Sequence, residues 1–164
     1  MKHTISVLVE NEFGVLSRVA GLFSGRGFNI ESLSVAPALD PTISRMTIVT
    51  TGDDQVLEQI TKQLNKLIDT IKIIDFTGQD FIEREMGMIK VTAEEGTRAE
   101  VLRIVDIFRA KVVDVTPRSY TIEVTGSPSK IDAVVELLRP MGIKELVRSG
   151  PVVLGRGPKV WRNS

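Results

Sequence analysis

MTIVTTGDDQVLEQITKQL, residues 46–64, and YTIEVTGSPSKIDAVVELL, residues 120–138, can be laid over one another without a gap. Each opens on apolar residues at alternate positions, Met46 and Ile48 in one and Tyr120, Ile122 and Val124 in the other. That is the period of a half-buried strand. A glycine follows in each, Gly52 or Gly126, and then a residue able to cap a helix, Asp53 or Ser127. Pro128 stands at the first helical position, where its missing N–H costs nothing. The apolar period then changes to that of a helix, through Val56, Leu57, Ile60 and Leu64 in one copy and Ile131, Val134, Val135 and Leu138 in the other. Agreement over strand, turn, cap and helix together marks an internal duplication.

Working outward from the first stretch completes one unit. Thr4 to Glu10 alternates through Ile5, Val7 and Val9 and reads as a strand. After Asn11-Glu12-Phe13-Gly14 the stripe Val15, Val19, Leu22 and Phe23, widened by Leu16 and Ala20, reads as a helix that Gly25 and Gly27 stop. Phe28 to Val35 is a second strand with Phe28, Ile30, Leu33 and Val35 inward. A turn spans Pro37 to Pro41, and Met46 to Thr50 is the third strand. The helix beyond Asp53 extends its stripe to Leu67 and Ile68, and Ile71 to Phe76 closes the unit. The order is βαββαβ. The same order recurs downstream: a strand at Met88 to Thr92, a helix opened by Gly96 with the stripe Val101, Leu102, Val105 and Phe108, strands at Lys111 to Val115 and Tyr120 to Val124, the Ser127-capped helix, and a strand at Ile143 to Val147. The expected boundaries are 1–78 for the first unit, 79–84 for a linker, 85–150 for the second unit and 151–164 for a tail.

A βαββαβ unit of about 75 residues, a common domain size, satisfies the right-handed crossover rule as a split-βαβ sandwich with two helices on one sheet face. The fold class is therefore α+β, two ferredoxin-like sandwiches in tandem. Such a unit leaves its second sheet face and one edge uncovered. Pairing with a second such unit, from the same chain or from another copy, is the economical cover, and a homodimer at minimum is expected.

Composition narrows function mainly by exclusion. Charges balance at 21 against 21, so no net field favours nucleic acid or an anionic membrane. There is no cysteine and one histidine, which removes thiolate sites, zinc clusters and histidine triads. His3 is expected to be exposed at the start of a strand. No dinucleotide fingerprint or P-loop is present, and aromatics at 5% are too sparse for a base-stacking sheet. Glu10 and Glu12 interrupt the first apolar stretch too early for a signal peptide, and no stretch is long enough for a membrane span. A soluble, cytoplasmic protein without catalytic residues or metal is expected.

One loop suggests binding. The first amides of the helix after Gly14 have no carbonyl partners, and the helix dipole adds positive potential there. Glycine leaves those amides open to a carboxylate. Asn11 can offer its amide oxygen to an ammonium group, with Glu10 or Glu12 adding negative potential. These are the requirements of a free α-amino acid. Asn29 follows a glycine turn, beside an edge where a partner could dock. With Gly14 set against Gly96, the second copy has Ala93 for Asn11 and Lys111 for Asn29. It keeps the glycine and loses both carboxamides, which places the function in the first copy.

The stretch SVLVENEFGVLSRVAGLFSGRGFNIESLSVAP, residues 6–37, resembles the amino-acid-sensing ACT domain of acetolactate synthase small (regulatory) subunits. DPTISRMTIVTTGDDQVLEQITKQLNKL from Asp40 continues the likeness. VDVTPRSYTIEVTG from Val113 and VRSGPVVLGRG from Val147 are similar to the C-terminal half of that family. The resemblance implies a non-catalytic subunit in valine, isoleucine and leucine biosynthesis. It would stimulate a catalytic large subunit, which carries thiamine diphosphate, Mg and FAD and condenses two pyruvates or pyruvate with 2-oxobutyrate. It would also confer feedback inhibition, usually by valine held between the N-terminal domains of a dimer. By matching position, Asn11, Gly14, Val15 and Leu16 would line the pocket from one chain, and Asn29 and Ile30 from the other. Ser17 and Ala36 would support them. Phe13 is larger than the family pattern suggests at its position, which bears on effector size.

Two other readings share the topology. An acylphosphatase-like hydrolase also binds phosphate between its first strand and helix, and Arg18 lies four residues after Gly14; but acylphosphatases are single units, and a helical arginine is commonly solvated. A free-standing ACT sensor would need another partner, since neither a helix-turn-helix nor a basic patch is present. In the tail GPVVLGRGPKVWRNS, Arg156, Lys159 and Arg162 surround Trp161. They read either as a frayed terminus or as a strap onto the large subunit.

Overall fold

The computed structural model describes residues 2–158 and 160. Its strands and helices are β1 (Lys2–Glu10), α1 (Val15–Ser24), β2 (Asn29–Pro37), β3 (Ile43–Thr51), α2 (Asp54–Lys66), β4 (Thr70–Asp75), β5 (Phe81–Thr92), α3 (Arg98–Ile107), β6 (Lys111–Val115), β7 (Ser119–Gly126), α4 (Pro128–Leu138), β8 (Ile143–Arg148) and β9 (Val152–Gly155). One sheet runs β2-β3-β1-β4 and the other β6-β7-β5-β8, with β9 paired to β5. These are the two ferredoxin-like sandwiches expected from the duplication. One compact unit ends at Ile82 and resumes at Val152; the other runs from Glu83 to Pro151. Among the described residues no helix is long and apolar enough to cross a membrane.

In the first unit, β1 is central, paired antiparallel with β3 from Lys2↔Thr51 to Glu10↔Ile43 and with β4 on its other side. Ile5, Val7, Met46 and Ile48 face Val15, Val19 and Phe23 of α1 and Leu57, Ile60 and Leu64 of α2. Each such side chain contributes about 1.5–3 kcal/mol by burial. Asp53 caps α2 by accepting from the Gln55 amide at 2.7 Å. Gly52 is needed for packing, because a Cβ there would run into the Phe28 ring. In the second unit Ser127 caps α4 by accepting from the Lys130 amide at 3.3 Å.

Several local expectations are corrected. Ile68 is 94% exposed, because α2 ends at Lys66 before the stripe can reach it. In β2 a register shift between Ile30 and Ser32 lets both Ile30 and Leu33 pack on the core, three residues apart, while Val35 is left exposed. The stretch expected as a linker, 79–84, carries the start of β5. Arg98, not Gly96, begins α3, and Ile104 replaces Leu102 in its buried stripe.

His3 is 3% exposed, not solvated. Its Nδ1 lies 3.3 Å from Thr77 Oγ1, and its Nε2 stands 3.0 Å from Asp54 Oδ1 without hydrogen-bond geometry. The second face of the first sheet is also buried, at Ser6, Leu8, Thr47 and Val49. Part of its cover is the segment expected as a C-terminal tail. Arg45, on that face, donates to the Val153 carbonyl at 3.0 Å. Burial holds the Arg45 guanidinium below the usual arginine range. Arg156 bridges Asp80 at 3.0 Å. Lys159, Trp161 and Arg162 lie outside the described residues.

Candidate functional site

Strand β1 delivers the chain to the loop 11–14, and two bonds tie that loop to the β2–β3 turn. The Asn11 amide donates to the Thr42 carbonyl at 2.9 Å, and Asn11 Nδ2 donates to the Pro41 carbonyl at 3.2 Å. The carboxamide nitrogen is thereby engaged, and Asn11 Oδ1 is left as an acceptor. Asp40 stiffens the turn by accepting from the Thr42 amide at 3.0 Å and its hydroxyl at 2.7 Å. Those bonds, the backbone one foremost, hold its carboxyl below the usual carboxylate range.

Gly14 then begins α1 at φ +80°, with no side-chain cap. Only glycine takes that conformation without strain. The first helical bond runs from the Arg18 amide to the Gly14 carbonyl at 3.0 Å. Among the described residues no protein group accepts the amides of Val15, Leu16 or Ser17. They point out of the helix end together with the positive pole of its dipole. The equivalent turn of the second unit closes on itself, the Glu94 carbonyl accepting from Thr97 at 3.0 Å and from Arg98 at 2.8 Å.

The side chains divide the work. Val15 is buried in the core, so only its amide is available. Leu16 is half-exposed, Ser17 is exposed, and Phe13, at 103%, projects fully into solvent. Arg18 donates from Nε at 3.2 Å and from Nη2 at 2.6 Å to Asp69 Oδ2. Asp69 is buried in the α2–β4 turn, and its carbonyl accepts from the Glu10 amide at 2.9 Å. The carboxylates of Glu10, Glu12 and Asp69 lie within 4.8 Å of one another. Sequence reasoning left Arg18 solvated, since nothing in the letters links it to a carboxylate 51 positions away.

Asn29 and Ile30 lie elsewhere in the chain. They pair with Thr51 and Thr50, at the end of the sheet where β1 begins, whereas Glu10 pairs with Ile43. The separation is eight steps of β3, about 27 Å at the rise of a strand. One chain therefore does not bring Asn29 to Asn11. Ala36, paired with Arg45, is at the Asn11 end. Asn29 is exposed on the edge strand, its carbonyl accepting from Thr50 Oγ1 at 2.7 Å. Ile30 is half-buried against the core.

Comparison with known proteins gives consistent matches over both units. A family model described as the AHAS small subunit-like ACT domain matches residues 5–72, and one described as the small subunit of acetolactate synthase matches residues 84–157. The acetolactate synthase small subunit of Aquifex aeolicus is 56% identical over 94% of this chain and 81% of its own length. That of Haemophilus influenzae is 53% identical over 97% of this chain and 98% of its own. The crystal structure of the acetolactate synthase small subunit from Thermotoga maritima superposes with a TM-score of 0.87 at 38% identity, covering 97% of this chain and 99% of that one.

Proposed function

Because this chain belongs to the family of acetolactate synthase small subunits, non-catalytic regulatory components of that enzyme, we propose that it binds valine and passes the binding on to a catalytic large subunit. It stimulates that subunit when valine is absent and inhibits it when valine is bound. The observation that carries this reading is the open start of α1, where three consecutive amides, Val15 to Ser17, follow a left-handed glycine and have no protein acceptor among the described residues. The effector carboxylate sits on those amides, its ammonium faces Asn11 Oδ1, and Leu16 meets its apolar side chain.

Asn29 and Ile30 join the site from a second copy. Strand β2 is a sheet edge with room for another strand. A two-fold, antiparallel pairing of two β2 strands centred on Leu33 sets Asn29 of one copy against Pro37 of the other. Pro37 pairs with Ser44, as does Val9, so this is the end of the sheet that carries Asn11. The 27 Å that separates the two asparagines within a chain is what a symmetric dimer removes. Valine closing this interface supplies the differential affinity that a regulatory ligand needs, typically worth about 1–3 kcal/mol. Isoleucine and valine should be weakly discriminated, since one methylene is worth about 1–3 kcal/mol in an apolar pocket.

Calorimetric titration of the chain with valine, leucine and isoleucine, with reconstitution on the large subunit, tests the reading. Asn11→Ala is expected to raise the valine concentration needed for half-inhibition by about tenfold, as loss of one hydrogen bond to a charged group implies. Unaltered valine inhibition in that variant would remove the site assignment.

A further inference from the structure

We propose that Arg18 is a further binding residue of this site: its remaining guanidinium nitrogen, Nη1, holds the effector carboxylate together with the α1 amides, and Asp69 is the residue that positions it. The inference rests on the amino-acid-binding reading above. Side chains on a helix lean towards its N-terminus, so Arg18, one turn after Gly14, covers the opening of α1. Asp69 takes Nε and Nη2 on a single oxygen, Oδ2, which fixes the guanidinium plane. Among the described residues nothing engages Nη1. That nitrogen lies 3.0 Å from the point where a Cβ on Gly14 would stand. It is therefore seated beside the residue that begins the helix, and a Cβ at position 14 would push it aside by a few tenths of an ångström.

The charges around the opening give this placement its consequence. Glu10, Glu12 and Asp69 form one acidic group. Without Arg18, three carboxylates would confront an incoming carboxylate at a helix start worth about half a positive charge. Arg18 neutralises Asp69 and sets a cationic nitrogen beside Gly14, while Glu10 and Glu12 keep the negative potential that suits an ammonium group. The site is thus selective for a free carboxylate as well as for an apolar side chain. An amino acid blocked as its amide should be rejected. Asp69 acts indirectly; it is buried, and its carbonyl is bonded to the Glu10 amide, so it fixes Arg18 relative to β1.

The test is calorimetric titration of the full chain with valine and with valinamide. The double variant Arg18→Met/Asp69→Asn removes both charges together, so no buried carboxylate is left without its cation. Its valine affinity is expected to fall about 10- to 100-fold, as for loss of a charged hydrogen bond. The preference for valine over valinamide should shrink with it. Asp69→Asn alone, which frees Arg18 but keeps its charge, should fall between the two. Valine binding by the double variant within about twofold of wild type, or equal losses for valine and valinamide, would overturn the role of Arg18 while leaving the site itself in place. Failure of the wild-type chain to bind valine at all would overturn the site and this inference with it.

Discussion

Gly14 carries two constraints that can be separated by experiment. Its φ of +80° imposes a backbone cost on any side chain, and its missing Cβ leaves room for the Arg18 guanidinium. Gly27 has nearly the same φ, +78°, but nothing lies within 4 Å of where its Cβ would be. Gly14→Ala and Gly27→Ala should therefore each lower stability by about 1–2 kcal/mol, the cost of left-handed backbone, as read by urea denaturation. Only Gly14→Ala should also weaken valine binding. Equal effects of the two on binding would mean that the glycine is there for the turn alone. Gly14 was legible in the sequence because a glycine between a strand and an amphipathic stripe marks the turn that opens a helix. Arg18, Asp69 and the burial of His3 were not legible. Their partners are 51 and 74 positions away, and pairing at such distances leaves no period to read.

Periodicity made most of the secondary elements legible, and it misplaced side chains where an end or an irregularity shifted the phase. The helix α3 shows how small such a shift is. Reading it from Gly96 put Leu102 in the buried stripe, but the helix begins at Arg98 and turns Leu102 outward, leaving it 41% exposed, with Ile104 at 3% in its place. Both choices satisfy a helical spacing with Val101 and Val105, so composition alone could not decide between them. The two positions should differ sharply on truncation. Ile104→Ala removes a packed aliphatic group and should cost about 2–5 kcal/mol. Leu102→Ala should stay close to the ±0.5 kcal/mol usual at surface positions. Chemical denaturation of both variants checks the phase of the helix directly; similar losses would mean that Leu102 is buried by a contact outside this chain. The register shift in β2 is the same kind of event in a strand, one residue taken out of alternation with its neighbours. The caps Asp53 and Ser127 were legible because their chemistry is local.

For the whole molecule, the duplication was readable because its two copies share letters, whereas the return of the chain to the first unit was not. Strand β9 is four residues long, and Arg45 meets Val153 across 108 positions. The return changes what a truncation experiment means. Removing residues 152–164 could abolish stimulation of the large subunit by taking away an anchor on the partner. It would also strip Val153, 4% exposed, from the first unit and leave Arg45 without the Val153 carbonyl. A point variant separates the two causes. Val153→Ala keeps every basic and aromatic residue of the segment while removing most of its burial, worth about 1.5–3 kcal/mol for a full valine side chain. Arg156→Ala does the reverse, breaking a bridge to the exposed Asp80 that should contribute at most about 1 kcal/mol. If the segment serves mainly to complete the first unit, Val153→Ala should lower its unfolding midpoint and, through the first unit, its valine binding, while Arg156→Ala leaves both near wild type. If stimulation of the large subunit falls in Arg156→Ala with the midpoint unchanged, the exposed side of the segment touches the partner. Truncation alone would give the same loss of stimulation in either case, which is why the two point variants must be measured before it.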